Sequence, residues 1–413
     1  MNTSTRSHRR PAPLNVRGIA RSPHVGRAAD DAVSNGGRLR LLLLVSALIA
    51  YGSLYPFDFT LPHSPAQAWA ALLHDWSITT SRGDALGNLV LFLPLGFVGA
   101  FSFPGRPAVA VTRLALFSFL LAGLLQAAQI YFPPRTPAIA DVAWNMSGTA
   151  LGIAAGRVLS SRLHFRSPQW HRTHAVPLAL LALWVAAELT PLVPTLDLQL
   201  VKDSVKALLQ FDVSLPDIVW HAAGVLLAGR ALAAIAGRSS ALRWLALLSA
   251  IVLAGKMFVV SRMLNASTVA GFALGYVAWS AICVRPSGYD TVVVGALVTA
   301  YTLKALFPMT LRAVPAEFNW VPFAGMLQGS MLINAQVLVE SVFVFAGVLG
   351  IVRMLGSSVG ASSIVLAFWA AALELAQIYI VGRTPDITEP LLVLLVGSVL
   401  RRAPAAAAQP CTR

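Results

Sequence analysis

Five stretches of this chain, residues 85–105, 114–134, 263–284, 318–339 and 354–373, contain no Asp, Glu, Lys or Arg. Each is about as long as one helical crossing of a bilayer core, roughly 20 residues. A water-soluble fold cannot bury that many such runs and still clothe itself in polar groups. Composition agrees: of 413 residues 57% are hydrophobic and 12% charged, against about 25% charged in a soluble domain. The expected fold class is an all-α polytopic membrane helix bundle. Two cysteines, Cys283 and Cys411, stand too far apart for a disulfide framework, a CxxC pair or a zinc knuckle.

Shorter apolar blocks, such as 142–156 and 390–400, still span if terminal arginines snorkel to the headgroups. With those included, twelve helices are expected, at 39–57, 84–103, 109–131, 138–157, 176–194, 215–236, 242–262, 265–283, 289–308, 335–353, 359–380 and 386–401. Residues 1–38 are basic, polar and Pro-containing, and read as a disordered cytoplasmic tail on an anionic membrane face. Their Arg/Ser-rich start shares traits with a mitochondrial presequence, but Asp30, Asp31 and the prolines spoil an amphipathic helix. No small-residue cleavage site follows the Leu41–Ala50 run, so a cleaved signal peptide is not expected. Residues 403–413 form a short second tail. With the N-terminus inside, the inner segments carry 22 Lys and Arg and the outer loops 8. That asymmetry places both termini in the cytoplasm.

The chain also repeats itself. SLYPFDF (Ser53–Phe59), ELTPLVP (Glu188–Pro194) and ALFPMTL (Ala305–Leu311) each end a helix. Each is followed by a polar turn holding an arginine: PPRTPAIAD at Arg135, VSRMLNAST at Arg262 and VGRTPDITE at Arg383. Aligned on those arginines without gaps, Gln126 matches Glu374, Gln129 matches Gln377, Asp141 matches Glu389, and Gly148 matches Gly275. Asp84-xxx-Asn88 likewise pairs with Asp217-xxx-His221. One four-helix unit is therefore expected three times, near 39–160, 173–285 and 286–402. Four is even, so the copies run parallel, in a pseudo-threefold or a linear array.

Physical placement singles out candidate ligand-binding residues. Thr136-Pro137 and Thr384-Pro385 read as N-caps followed by Pro at the first helical position. Asp141, Asp386 and Glu389 then fall in opening turns, where the helix dipole favours negative charge. Asn145 lies one turn beyond Asp141. Glu374 and Gln377 share a helix face, as do Gln126 and Gln129. Glu374, Glu340 and Asn88 are each a few residues inside the outer end of a helix. Ionised acids are costly in a bilayer, so such groups face a bundle interior or water. The expectation is an outward-opening polar recess lined by Glu374, Gln377, Arg383, Glu340, Asn88, Gln129, Arg135 and Asp141. Interhelical hydrogen-bonded glue is the competing role.

GNLVLFLPLGF (Gly87–Phe97) followed by QAAQIYFPPRTPAIADVAWNMSGTALG (Gln126–Gly152) resembles the VanZ-like family, as does ELAQIYIVGRTPDITE (Glu374–Glu389) with NWVPF (Asn319–Phe323). That family's pattern is Asn-x3-Phe-x-Pro-Leu-Gly, then Glu-x2-Gln, Arg, Asp-x2-Asp and Asn-x2-Gly. The first unit departs from it at Gln126 and Ala138, and the third at Glu389 and Val393. The middle unit keeps Arg262 without the acids and reads as scaffold. The resemblance implies a bacterial cytoplasmic-membrane protein with a cell-envelope role, in a family associated with glycopeptide resistance. It would contact lipid-linked wall intermediates or an amphiphilic antibiotic, with Arg383 and Arg135 on an anionic headgroup and Glu374 and Gln377 below it. Partners would be membrane lipids, not nucleic acid.

Enzyme signatures fail. Gly356–Gly360 fits G-x-S-x-G, but no His follows it. Arg285-Pro-Ser-Gly is followed by Tyr289 instead of the His of a lipid phosphatase. No HExxH, P-loop or acidic metal cluster is visible in the linear sequence, and no cofactor is expected. His221 reads as a packed or capping histidine. Gly148-xxx-Gly152-xxx-Gly156 and Gly271-xxx-Gly275 read as stripes for close helix approach. Loops 58–83, with Trp69 and Trp76, and 195–213, with Lys202, Asp203 and Lys206, read as interfacial amphipathic segments. The alternatives to binding are a membrane enzyme using Glu374 as acid or base, a transporter, and a structural assembly factor.

Overall fold

The computed structural model describes residues 23–55, 57–74, 82–100, 102, 107–132, 137–163, 168–190, 198–210, 213–259, 264–284, 288–327 and 331–402. Arg135, Arg262, Thr136, Trp76 and the tail 403–413 lie outside the described residues.

Long runs of straight-chain and small apolar residues give helices throughout; two isolated β-bridges are the only β pairing among the described residues. The first third holds α1 (Pro23–Leu54), a short α2 (Pro65–His74), α3 (Arg82–Gly99), α4 (Pro107–Gln129) and α5 (Ile139–Leu163). The middle third holds α6 (Pro168–Leu189), short α7 (Leu198–Leu209), α8 (Leu215–Ala236), α9 (Arg238–Lys256) and α10 (Ala266–Ile282). The last holds α11 (Tyr289–Leu306), short α12 (Ala324–Leu327), α13 (Met331–Met354), α14 (Val359–Gln377) and α15 (Thr388–Arg402). Each third thus runs long, short, long, long, long.

Five helices are long and apolar enough to cross a membrane: Ala108–Gln129, Leu215–Ala236, Arg238–Lys256, Ile333–Met354 and Val359–Gln377. Apolar helices of 10–17 residues occupy Leu39–Leu54, Ala85–Gly99, Thr173–Leu189 and Ala266–Ile282. The third long helix of each segment turns apolar side chains outward: Phe119, Leu120 and Leu124 on α4, Leu247 and Ile251 on α9, Val365 and Phe368 on α14. An outward apolar face is what lipid requires. This is a helical membrane protein.

Several boundaries move. The first helix begins at Pro23, well before 39, and takes up part of the stretch expected to be disordered. Pro23 stands at the first helical position, where its missing N–H costs nothing. The expected 242–262 helix runs instead from Arg238 to Lys256. The last helix starts at Thr388 and not at Pro385, because Asp386 Oδ1 accepts the Thr388 N–H at 2.6 Å and closes a turn ahead of it. The two interfacial segments contain α2 and α7, and Trp69 of α2 is 38% exposed.

The glycine stripes do what their spacing implied. A methyl group on Gly148 would meet Leu89 O at 2.1 Å, and one on Gly152 would meet Leu93 O at 2.2 Å. α3 and α5 therefore touch backbone to backbone. α8 and α10 repeat this, with Gly275 only 2.7 Å from Ala222 O by the same measure.

The three segments are not joined alike. One buried core, including Trp184, Leu227, Trp279, Leu297 and Phe345, runs through the middle and last segments together. The first has its own core around Leu42, Phe92, Leu95 and Leu125. It meets the last segment where Tyr51 Oη donates to Pro322 O at 2.7 Å.

Candidate functional site

Each segment gathers polar side chains where its first and third long helices end and its fourth begins. All three clusters occupy the same end of the bundle. Tyr51 in the first segment reaches Pro322 in the last, and Trp220 of α8 lies 4.2 Å from Lys304 Nζ of α11.

In the first segment, Gln126 at the end of α4 is 4% exposed. Its Oε1 accepts the Ala138 N–H at 2.9 Å, and its Nε2 donates to Asp141 Oδ2 at 3.4 Å. Gln129 Nε2 donates to Ser53 O at 2.9 Å. Asn145 is buried on α5, and its Oδ1 has no hydrogen-bond partner among the described residues. Asn88 lies partly buried on α3. Arg135 falls outside the described residues.

In the last segment the same joint is made with charge. Glu374 Oε2 accepts the Asp386 N–H at 2.9 Å, as Gln126 accepts the N–H of Ala138 at the matching place. A buried carboxyl thus satisfies a backbone donor that the turn would otherwise leave unpaired. The loop after α11 is pinned onto this turn: Val381 N–H donates to Thr310 O, Ile387 N–H to Asn319 O, and Phe323 N–H to Thr388 Oγ1. Beneath it lies a cavity of about 280 Å³. Trp220, Tyr301 and Lys304 form one wall, Glu340 and Ser341 of α13 another, and Glu374, Gln377, Asp386 and Glu389 a third.

The cavity's two cations are both engaged. Lys304 Nζ contacts Glu340 Oε2 at 2.5 Å, and the lysine side chain is 38% exposed. Arg383 donates from Nε to Phe307 O at 2.9 Å, and from Nη2 to Phe307 O at 2.6 Å and to Lys304 O. Its guanidinium thus caps the C-terminal carbonyls of α11, where a cation is favourable. Burial lowers its pKa from arginine's ordinary value, and the charge of Glu374 opposes that. Arg312 extends the staple to Ile380 O and Arg383 O.

No acidic cluster is visible in the linear sequence, yet folding makes one. Carboxyl oxygens of Glu374, Asp386 and Glu389 lie within 4.8 Å of one another, a spacing at which a hard cation could be held. Three carboxyls so close need positive charge nearby, whether a proton, an ion or a ligand.

The middle segment, read as scaffold, holds a third cluster that sequence reasoning missed. In the gapless register Lys256 takes the place of Gln129 and Gln377, and Thr268 that of Asp141 and Glu389. Lys256, the last residue of α9, is 2% exposed. Its Nζ meets Glu188 Oε2 at 2.6 Å, and Glu188 Oε1 lies 3.0 Å from His221 Nδ1. His221 Nε2 lies 3.3 Å from Thr268 Oγ1, and Asn265 caps α10 by accepting the Thr268 N–H. The position of Asn265 matches that of Asp386. His221 is thus a packed histidine, but one inside a charged network. The one signal available was Glu188 itself, an acid at the end of an uncharged run.

The structure brings together Glu340, Glu374, Gln377, Arg383, Asp386 and Glu389, and separately Gln126 with Asp141. Lys304, Trp220 and Tyr301 are additions to the expected set.

No curated protein and no solved structure matches the chain. A family model, VanZ/LLP1, matches residues 38–160, less than a third of the length. Over its first helical segment, then, this membrane protein is similar to the VanZ/LLP1 family.

Proposed function

We propose that the protein binds the polar head of an amphiphilic cell-envelope molecule in the cavity of its last segment. The carrying observation is the cavity itself: about 280 Å³, at one end of a membrane bundle, walled by carboxyl, amide, hydroxyl and aromatic side chains. Burying that many polar groups beside lipid is costly unless a polar partner shares the space. The charge asymmetry supports an extracytoplasmic opening in a bacterial cytoplasmic membrane, with both termini inside. The matched bonds Gln126 to Ala138 and Glu374 to Asp386 support reading the segments as divergent copies of one unit.

Gly325 provides the test. A methyl group there would stand 3.4 Å from Asp386 Oδ2, in ordinary contact, so a larger side chain at this lining position is directed at the cavity. Lipids copurifying with the wild type and with Gly325→Phe are compared by mass spectrometry at equal membrane abundance. A bound amphiphile should be present in the first and depleted in the second. Identical lipid profiles would reject the reading.

A second reading, an enzyme acting on lipid-linked glycans, rests on the close carboxyls Glu374, Asp386 and Glu389. Paired acids of this kind suit general acid–base work. Glu374→Gln would then stop turnover of such a lipid while leaving it bound.

A further inference from the structure

The binding reading leaves open which headgroup the cavity takes, and the sequence alone pointed to an anion held by Arg383. The side chains point elsewhere. Arg383 donates from Nε and Nη2 to the carbonyls of Phe307 and Lys304, and Lys304 is paired with Glu340. Glu374, Asp386 and Glu389 have no lysine partner among the described residues. An entering phosphate would meet two cations already engaged and a surplus of carboxyl groups.

Two ammonium groups are, in contrast, already held in this architecture. Lys304 Nζ rests 4.2 Å from the centre of the Trp220 ring while touching Glu340, the aromatic-plus-carboxylate chemistry that suits an amine. In the middle segment Lys256 reaches from the position of Gln377 to a buried carboxylate, Glu188. At the sequence position of Gln377, then, the middle segment carries an ammonium group of its own. Gln377 is shorter and uncharged, and cavity adjoins it.

Resting on the binding reading above, we infer that the cavity recognises the ammonium group of an amine-bearing membrane amphiphile, for which Lys256 is the built-in counterpart one segment earlier. The carboxyls beside Gln377 accept the ammonium hydrogens, and the ring of Tyr301, which lines the same cavity, stands beside it.

The experiment uses the full chain in detergent, exposed to equal amounts of phosphatidylethanolamine and phosphatidylglycerol with the same acyl chains. Retained lipid is counted by native mass spectrometry. Gly325→Phe defines the part that depends on the cavity. That part should favour phosphatidylethanolamine by about tenfold, the scale of one charge-assisted contact. Gln377→Lys, which gives the last segment the lysine of the middle one, should abolish it while the protein stays folded by its thermal transition. A cavity-dependent part that is mainly phosphatidylglycerol would overturn the amine inference and leave the binding reading standing. Lipid retention indifferent to Gly325→Phe would overturn both.

Discussion

The middle and last segments solve one physical problem in opposite ways. Both end a helix beside polar groups at membrane depth, and both cap the next helix with an Asn or Asp side chain, Asn265 or Asp386. In the middle segment the ionic groups neutralise each other: Lys256 and Glu188, both 2% exposed, form a closed pair completed by His221 and Thr268. In the last, Gln377 replaces the lysine, two acids join Glu374, and a cavity remains. The difference teaches that exchanging a few side chains at one joint, Lys256 for Gln377 and Thr268 for Glu389 among them, separates a closed ionic pair from a cavity lined with carboxyls.

The comparison breaks most sharply at the closed pair. Lys256→Met leaves Glu188 buried without its ammonium, and loss of one partner of a buried pair costs about 3–5 kcal/mol. Thermal unfolding in detergent should show that loss, while lipid retained at the cavity per folded protein is unchanged. Glu188→Gln combined with Lys256→Met should recover most of the stability, since no charge is then stranded.

Next in size is the backbone contact that holds the first segment together. Gly148→Val would drive a side chain into Leu89 O, whereas a Cβ added at Gly123 meets nothing within 4 Å, so Gly123→Val is the control. Overpacking costs about 1–3 kcal/mol, and more where backbone must part. Expression and melting temperature should fall for the first variant and hold for the second.

A smaller effect sharpens the likeness between first and last segments. Gln126→Ala removes the acceptor of the Ala138 N–H and should cost about 1–3 kcal/mol, the penalty of an unpaired buried donor. Gln126→Glu, the residue type of the last segment, keeps the acceptor for Ala138 but loses the donor to Asp141, so its loss should fall between wild type and Gln126→Ala. Lys304→Met should cost less than Lys256→Met, because the lysine side chain is 38% exposed and Gln336 also donates to the buried Glu340.

Much of this was legible in the sequence. Uncharged runs located α3, α4, α10 and α14, because bilayer thickness fixes their length, whereas the described part of the run 318–339 is loop, α12 and the start of α13. The glycine spacing foretold the tight crossings, and the offset between Glu374 and Gln377 put both on one face of α14. What stayed hidden was every partnership formed across distance. Glu188, His221 and Lys256 belong to three helices, and no local pattern ties them together. The role of Arg383 was equally obscure, since its partners are backbone carbonyls, which every residue has. The start of the last helix was misplaced because Asp386, not Thr384, captures the helix N–H.

Thiol accessibility, and its response to lipid, tests the open-versus-closed contrast directly. In a chain with Cys283 and Cys411 replaced by serine, Thr384→Cys stands at the cavity and Thr268→Cys inside the closed cluster. A membrane-impermeant thiol reagent should label the first rapidly, added phosphatidylethanolamine should slow that labelling, and the second should remain unreactive. Equal labelling of both positions, or a Thr384→Cys rate indifferent to lipid, would contradict the account.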